Sequence, residues 1–234
     1  MKIAMWSGPR NLSTALMYSF GNRPGMSVLD EPFYAAYLAA TGLDHPLRDT
    51  VLAAGDTDPR SVATTIASAA SSAEEPLFLK LMVFHMLDGF SLEWAQSCVH
   101  VHLIRHPARV IASYVAKREQ PTLQDIGVTQ QLDMYRRFPG PVVSSHDIRE
   151  QPEKTLRTLC ASIDLAFDTN MLSWAVGPKE FDGTWASHWY DSVHRSSEFA
   201  GPEGALPSLR ADLARLQQAA MPAYEEMYAR RLTP

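Results

Sequence analysis

The chain has 234 residues, of which 46% are hydrophobic and 20% charged, with a net charge of −5. That length suffices for one large domain or two small ones, and the composition is that of an ordinary globular protein. The acidic balance, with aromatic residues not clustered among basic ones, argues against a global field for nucleic acid or an anionic membrane, so an anionic ligand has to be caught locally.

Residues 2–6 read as a short buried strand that stops at Ser7-Gly8-Pro9. Leu12, Leu16 and Phe20 fall four apart, which predicts a helix from Ser13 that packs one face inward until Gly21. A second strand over 26–29 closes at Asp30-Glu31-Pro32, followed by a helix over 34–40 and a polar connection over 42–59. The Ala/Ser-rich stretch 61–73 lacks Gly and Pro and is expected to be helical. Residues 77–81 and 98–104 read as the third and fourth strands. Pro107 then opens a helix to about Lys117, at a first-turn position where its missing N–H costs little. A fifth strand over 141–144 precedes a helix over 153–163. The stretch 167–207 is poor in regular signals and rich in Trp, His, Gly and Ser; segments of that length are usually functional or mobile. The chain is expected to close with a helix over 208–231, interrupted or kinked near Pro222.

Strands alternating with helices predict an α/β protein with a central, mostly parallel sheet covered on both faces. No repeat or linker is evident, so one domain over residues 1–234 is expected. Cys98 and Cys160 stand in no metal or redox spacing and are expected to be buried, reduced thiols. The apolar run at 3–6 is too short for a signal-peptide core and no stretch approaches a membrane span, so a cytoplasmic protein is expected.

The junction between the first strand and first helix reads Ser7-Gly8-Pro9-Arg10-Asn11-Leu12-Ser13-Thr14. A helix start leaves backbone N–H groups unpaired and carries partial positive charge, so it attracts an anion. Ser13 and Thr14 add hydroxyl donors, and the fork of Arg10 fits phosphate oxygens in pairs. The loop has no Lys and no second Gly, unlike a Walker A loop, and a plain strand-to-helix turn with a Ser cap is the competing assignment. Further on, the apolar strand ending at Ile104 delivers Arg105 at its carboxyl end, where open α/β sheets place ligands. Ser113 follows six residues after Pro107, ~9 Å along a helix axis at ~1.5 Å per residue. Arg105 and Ser113 could thus grip one phosphate from two sides. Arg109 shares the helix face of Ser113 but is expected to be a solvated charge.

Arg105-x-Pro107 with Ser113 resembles the 3′-phosphate motif of sulfotransferases, and the first loop is similar to their 5′-phosphosulfate loop, in a version with Arg in place of Lys. The two motifs occur in the family's order over about the first half of the chain. The resemblance implies a three-layer α/β/α fold like that of P-loop nucleoside-triphosphate hydrolases. It also implies 3′-phosphoadenosine 5′-phosphosulfate (PAPS) as co-substrate, adenosine 3′,5′-bisphosphate as product and no metal. Carried over, Arg10, Ser13 and Thr14 would hold the 5′-phosphate and sulfate, and Arg105 and Ser113 the 3′-phosphate.

Sulfuryl transfer asks the protein to align two substrates and to stabilise charge on the transferring and leaving oxygens. Arg10 is the candidate for charge near the bridging oxygen. Glu31, beside Phe33 and Tyr34 at the end of the second strand, is the candidate base for a hydroxyl or amine acceptor, with a helix-capping role as the alternative; Asp30 is expected to cap. Lys80 could contact the sulfate or an acidic acceptor, and His85 is a secondary base candidate. The family's late Gly-x-x-Gly loop with Lys is absent. Trp185 or Trp189 is then the candidate to stack on adenine and Arg195 the candidate to reach the 3′-phosphate, while His188 and His194 form no metal set. A small-molecule acceptor is expected, with its identity and the oligomeric state unread. Two other classes remain open: a nucleotide-binding or regulatory protein without catalysis, favoured by the missing Gly and late loop, and a P-loop kinase or NTPase, opposed by the missing Lys.

Overall fold

The computed structural model describes residues 1–72, 75–116 and 120–234. Among them, five strands form one sheet: β1 (Lys2–Ser7), β2 (Ser27–Asp30), β3 (Leu77–Met82), β4 (Val99–Ile104) and β5 (Val142–Ser144). Their order is β2-β3-β1-β4-β5 and every pairing is parallel. Because all strands run the same way, their carboxyl ends share one rim. Register places Met5 and Asp30 on either side of Lys80, and Ser7 beside Leu103.

The sheet is covered on both faces, and alternate residues of β1 enter the two cores. Ile3 and Met5 pack with Leu16, Phe20, Phe78, Val101 and Leu103 on one side. Ala4 and Trp6 pack with Ile66, Leu77, Leu79, Leu81 and Trp94 on the other. Helix α1 (Ser13–Gly21) buries its apolar face, with the Phe20 ring stacked on Phe78 at 4.5 Å, and α2 (Tyr34–Thr41) follows β2.

Several elements differ from the sequence expectation. The connection over 42–59 contains α3 (Arg48–Ala54), whose single buried residue, Val51, gives no period to detect. Pro59 opens the next helix, α4 (Pro59–Ser68), after an N-cap in which the Asp58 carboxylate accepts the Arg60 N–H at 2.9 Å. Residues Ala73 and Lys117, at the expected ends of two helices, lie outside the described residues. Helix α5 runs over Pro107–Val115. Two helices absent from the sequence expectation, α6 (Leu123–Ile126) and α7 (Val128–Arg137), precede β5; α8 (Ser145–Glu150) and α9 (Pro152–Ser162) follow it. The late stretch holds only α10 (Ala186–Trp189) and α11 (Asp191–His194) beside a 3-10 turn over Thr169–Leu172. Helix α12 (Ala211–Tyr228) runs through Pro222 without interruption, held by buried Ala220, Tyr224 and Met227. Cys98 and Cys160 are free; Cys160 is buried as expected but Cys98 only partly so, and desolvation pushes each thiol up to about 11, which leaves them unreactive at neutral pH. No helix among the described residues is long and apolar enough to cross a membrane.

Candidate active site

The turn after β1 is fixed from behind. The Gly8 N–H donates to Oε1 of buried Gln131 at 3.3 Å, and Asn11 Nδ2 donates to the Leu103 carbonyl at 3.1 Å. Gln131 Nε2 in turn donates to the carbonyls of Trp6 and Leu103 at 3.1 and 2.7 Å. A Cβ on Gly8 would meet the Ile126 carbonyl oxygen at 2.9 Å, so only glycine fits. Ser7 is fully buried and donates to the Gly8 carbonyl. Ser7, Gly8 and Asn11 therefore shape the loop and do not line the cavity beside it. Arg10 (φ 61°) and Leu12 (φ 80°) are left-handed, a conformation that costs non-glycine residues energy and recurs at functional sites. Helix α1 has no side-chain cap, contrary to the Ser-cap alternative. Its first-turn N–H groups have no partner within the helix, and Leu12, Ser13, Thr14 and Ala15 line a cavity of about 420 Å³.

The second motif opens onto that same cavity. Arg10, Arg105, Ser113 and Pro9 line it together. Arg10 Nε donates to Ser113 Oγ at 2.9 Å, and Arg105 Nη1 donates to the Arg10 carbonyl at 2.7 Å, so the two motifs touch. Burial, and the proximity of Arg105, lower the pKa of Arg10; burial lowers that of Arg105 against the opposing pull of Glu203. Two desolvated guanidiniums this close favour an anion between them. Arg105 Nε is buried without a hydrogen-bond partner among the described residues.

The other end of the cavity is acidic and aromatic. Lys80, 1% exposed, donates to Asp30 Oδ1 at 3.0 Å, Glu31 Oε1 at 2.5 Å and the Tyr190 hydroxyl at 2.5 Å. Those contacts use all three ammonium hydrogens, so Lys80 supports the carboxylates and is not a free cation for sulfate. Burial pushes its pKa down, but Asp30 and Glu31 together hold it above the ordinary lysine value. Asp30 caps no helix, correcting the expectation: it accepts from the Gly183 N–H at 3.1 Å and from the Tyr190 hydroxyl at 2.8 Å, while α2 has Phe33 at its N-cap and no side-chain cap. Glu31, left-handed at φ 43°, likewise caps nothing. Burial raises its pKa, with Asp30 adding to the shift and Lys80 opposing it. Its second oxygen, Oε2, stands 3.9 Å from His85 Nδ1, a buried nitrogen without a hydrogen-bond partner among the described residues. Burial, then Lys80 and His45, drive the His85 pKa well below 6.5, so the ring is neutral and a poor base. The ring stacks on Tyr34 at 4.6 Å.

The late segment closes this end. Trp185, Trp189, Tyr190 and His188 line the cavity. Trp185 donates from Nε1 to the Tyr190 hydroxyl at 3.0 Å and meets Tyr34 edge-on at 5.0 Å, which puts it beside Glu31. Arg195 stands outside the cavity, exposed and paired with Asp191 at 3.1 Å, and does not take the place expected of it. His194 pairs with Asp182 at 3.1 Å. Arg109 is no solvated charge: its side chain is 12% exposed and paired with buried Glu203. Tyr190, Gln131, Arg149 and Glu203 were not identified from sequence, because each acts through a partner distant in the chain. Gln131 stands next to Gln130 in α7, and nothing in the sequence marks it as the buried one of the pair.

A profile described as "Sulfotransferase domain" matches residues 1–231. Two Arabidopsis thaliana proteins, named branched-chain-amino-acid aminotransferase-like protein 1 and 2, are 35% and 34% identical over 206 residues. That is 86% of this chain but only 37% and 36% of theirs, so the chain spans little over a third of those relatives. Among solved structures, it resembles the sulfotransferase domain of the Synechococcus PCC 7002 olefin synthase, with TM-score 0.55 and 19% identity over 100% of this chain and 96% of that one. The sulfotransferase domain from the curacin biosynthetic pathway gives TM-score 0.53 and 14% identity over 94% and 96%.

Proposed function

The chain belongs to the sulfotransferase-domain family, and from that premise we propose that it transfers a sulfuryl group from PAPS to a hydroxyl or amine of a small acceptor. The observation that supports this most is the sharing of one cavity by Arg10, Ser13, Thr14, Arg105 and Ser113 at one end and Glu31 at the other. The donor supplies the sulfuryl group. The first-turn N–H groups of α1, with Ser13 and Thr14, fit its 5′-phosphosulfate; Arg105 and Ser113 fit its 3′-phosphate.

In the proposed reaction the acceptor heteroatom forms a bond to sulfur as the bond from sulfur to the bridging oxygen breaks, and adenosine 3′,5′-bisphosphate leaves. Glu31 Oε2 takes the acceptor's proton, since Oε1 is held by Lys80. A carboxylate with a raised pKa is a stronger base than an exposed one. Arg10 balances charge on the leaving oxygen. Lys80, Asp30 and Tyr190 position Glu31 without touching the reacting atoms.

Calorimetric titration with adenosine 3′,5′-bisphosphate, AMP and ATP with Mg²⁺ tests the donor assignment. The bisphosphate should bind tightest. Arg105→Ala should weaken it about tenfold or more while changing AMP affinity little, the scale of one charge-assisted contact. Equal weakening of both nucleotides would remove Arg105 from the 3′-phosphate, and preference for ATP with Mg²⁺ would point to a kinase or NTPase instead.

A further inference from the structure

Arg105 is shared between the cavity and a strap of chain outside it. Residues 200–210 form no helix or strand, and Gly201, Pro202, Gly204, Ala205 and Leu206 are exposed; Gly201-Pro202-Glu203-Gly204 has the Gly-x-x-Gly spacing that was expected to be missing, though without a Lys. From this stretch one carboxylate turns inward. The Glu203 side chain is 1% exposed and meets three guanidiniums: Oε1 accepts from Arg105 Nη2 and, at 3.0 Å, from Arg149 Nη1, while Oε2 lies 3.1 Å from Arg109 Nε. The same arginines hold the strap's backbone. Arg109 donates to the carbonyls of Glu203 and Gly204, and Arg149 to those of Ala200 and Gly201. Glu203, Arg109 and Arg149 do not line the cavity, whereas Arg105 does.

Three guanidiniums around one carboxylate leave a surplus of positive charge at the place where the donor's 3′-phosphate is assigned. Arg105 Nη1 donates one hydrogen to the Arg10 carbonyl and Nη2 one to Glu203, while Nε has no partner among the described residues. A guanidinium grips a phosphate bidentately along the Nη1–Nη2 edge or the Nε–Nη2 edge, and both edges need Nη2. Nη2 has a second hydrogen to offer, so a 3′-phosphate on Arg105 shares that nitrogen with the Glu203 carboxylate, and the two neighbouring anions repel.

We propose that Glu203 is an exchangeable internal anion of the donor site, and the residue that sets how tightly a 3′-phosphate is held. Nucleotide binding passes Arg105 from Glu203 to the phosphate and loosens the strap; the returning carboxylate reclaims Arg105 and helps expel the bisphosphate product. This rests on the donor assignment made above.

The bisphosphate and AMP are titrated into wild-type protein and Glu203→Gln, which keeps the shape and removes the charge. The variant should bind the bisphosphate about tenfold tighter, the effect of losing one nearby like charge, with AMP affinity within about twofold. Unchanged or weaker bisphosphate binding would make Glu203 a brace for Arg105 and overturn the exchange. Should the variant not fold, the wild-type protein decides through hydrogen exchange: the bisphosphate should speed exchange of amides at 200–206, and slowed or unaltered exchange overturns the proposal. If wild-type protein binds bisphosphate and AMP equally, the donor assignment itself falls. If it prefers the bisphosphate but Glu203→Gln binds it no tighter, only the role of Glu203 falls.

Discussion

Replacing Lys80 by Met removes the cation between two carboxylates while keeping an unbranched side chain of similar length. The ammonium lies 3.0 Å from Asp30 and 2.5 Å from Glu31, and Lys80 and Asp30 are each 1% exposed. At an effective dielectric of about 20, a pair at that separation carries roughly 5 kcal/mol of gross attraction, offset in the native protein by the cost of dehydrating the ions. Removing one partner leaves that cost uncompensated, and the expected loss of stability is about 3–5 kcal/mol. The loss should depend on pH. Without Lys80, the already raised pKa of Glu31 rises further in the folded state alone. A folded-state acid pKa above the unfolded value costs stability at high pH, and the cost disappears as pH falls below the unfolded value. Urea denaturation at pH 8 and pH 5 should therefore show a larger deficit at pH 8. The double variant Lys80→Met/Asp30→Asn, with one carboxylate fewer, should recover part of it. A deficit below about 1 kcal/mol at pH 8, or an equal deficit at both pH values, would show that these side chains are not a charge-coupled unit.

Glu31→Gln should lower transfer to an acceptor by about 10²–10⁴-fold while leaving bisphosphate affinity within about twofold, read by turnover and calorimetry; unaltered turnover would dismiss Glu31 as the base. In the wild-type rate profile, activity should be lost as pH falls through the Glu31 pKa, at a pH above the ordinary carboxylate value of 4.5 because burial raises it. That limb should vanish in the Gln variant. His102, fully buried and held down to about 4 by burial, stays neutral in the folded chain while the unfolded chain takes up a proton near 6.5. Unfolding free energy should fall by about 3 kcal/mol between pH 6.5 and 4, and His102→Gln should flatten that part of the curve. Gly8→Ala should cost about 1–3 kcal/mol in a denaturation experiment, because its Cβ would press on the Ile126 carbonyl; a neutral effect would mean that the turn has room to shift.

The sheet was legible because each strand is a short apolar run bounded by turn residues, and β1, β3 and β4 fall within a residue or two of where those runs lie. The grouping of Arg10, Ser13 and Thr14 on one cavity was legible for a related reason: they sit at one strand-to-helix junction, so a local rule places them together. Arg105 and Ser113 share a second junction, and parallel strands carry both to one rim. Local rules failed where a distant partner outweighed them. Asp30 has the sequence context of a helix cap, yet Lys80 and Tyr190 claim its oxygens. Arg109 looks like a solvated helix charge until Glu203, far along the chain, folds over it.

Both ends of the cavity are finished by the same device. A charged group at a strand end meets one side chain from the irregular late segment: Asp30 and Lys80 meet Tyr190, and Arg105 meets Glu203. Neither late residue belongs to a periodic element core, and each lies more than ninety positions from its partner. The first half of the chain thus builds the groups that sequence motifs describe, while the last third neutralises and encloses them through long-range contacts of a few side chains that no spacing rule encodes. A cradle completed in this way gains its charge balance only when the late segment is folded onto it, so substitutions at Tyr190 or Glu203 should disturb the site's electrostatics before they disturb the fold.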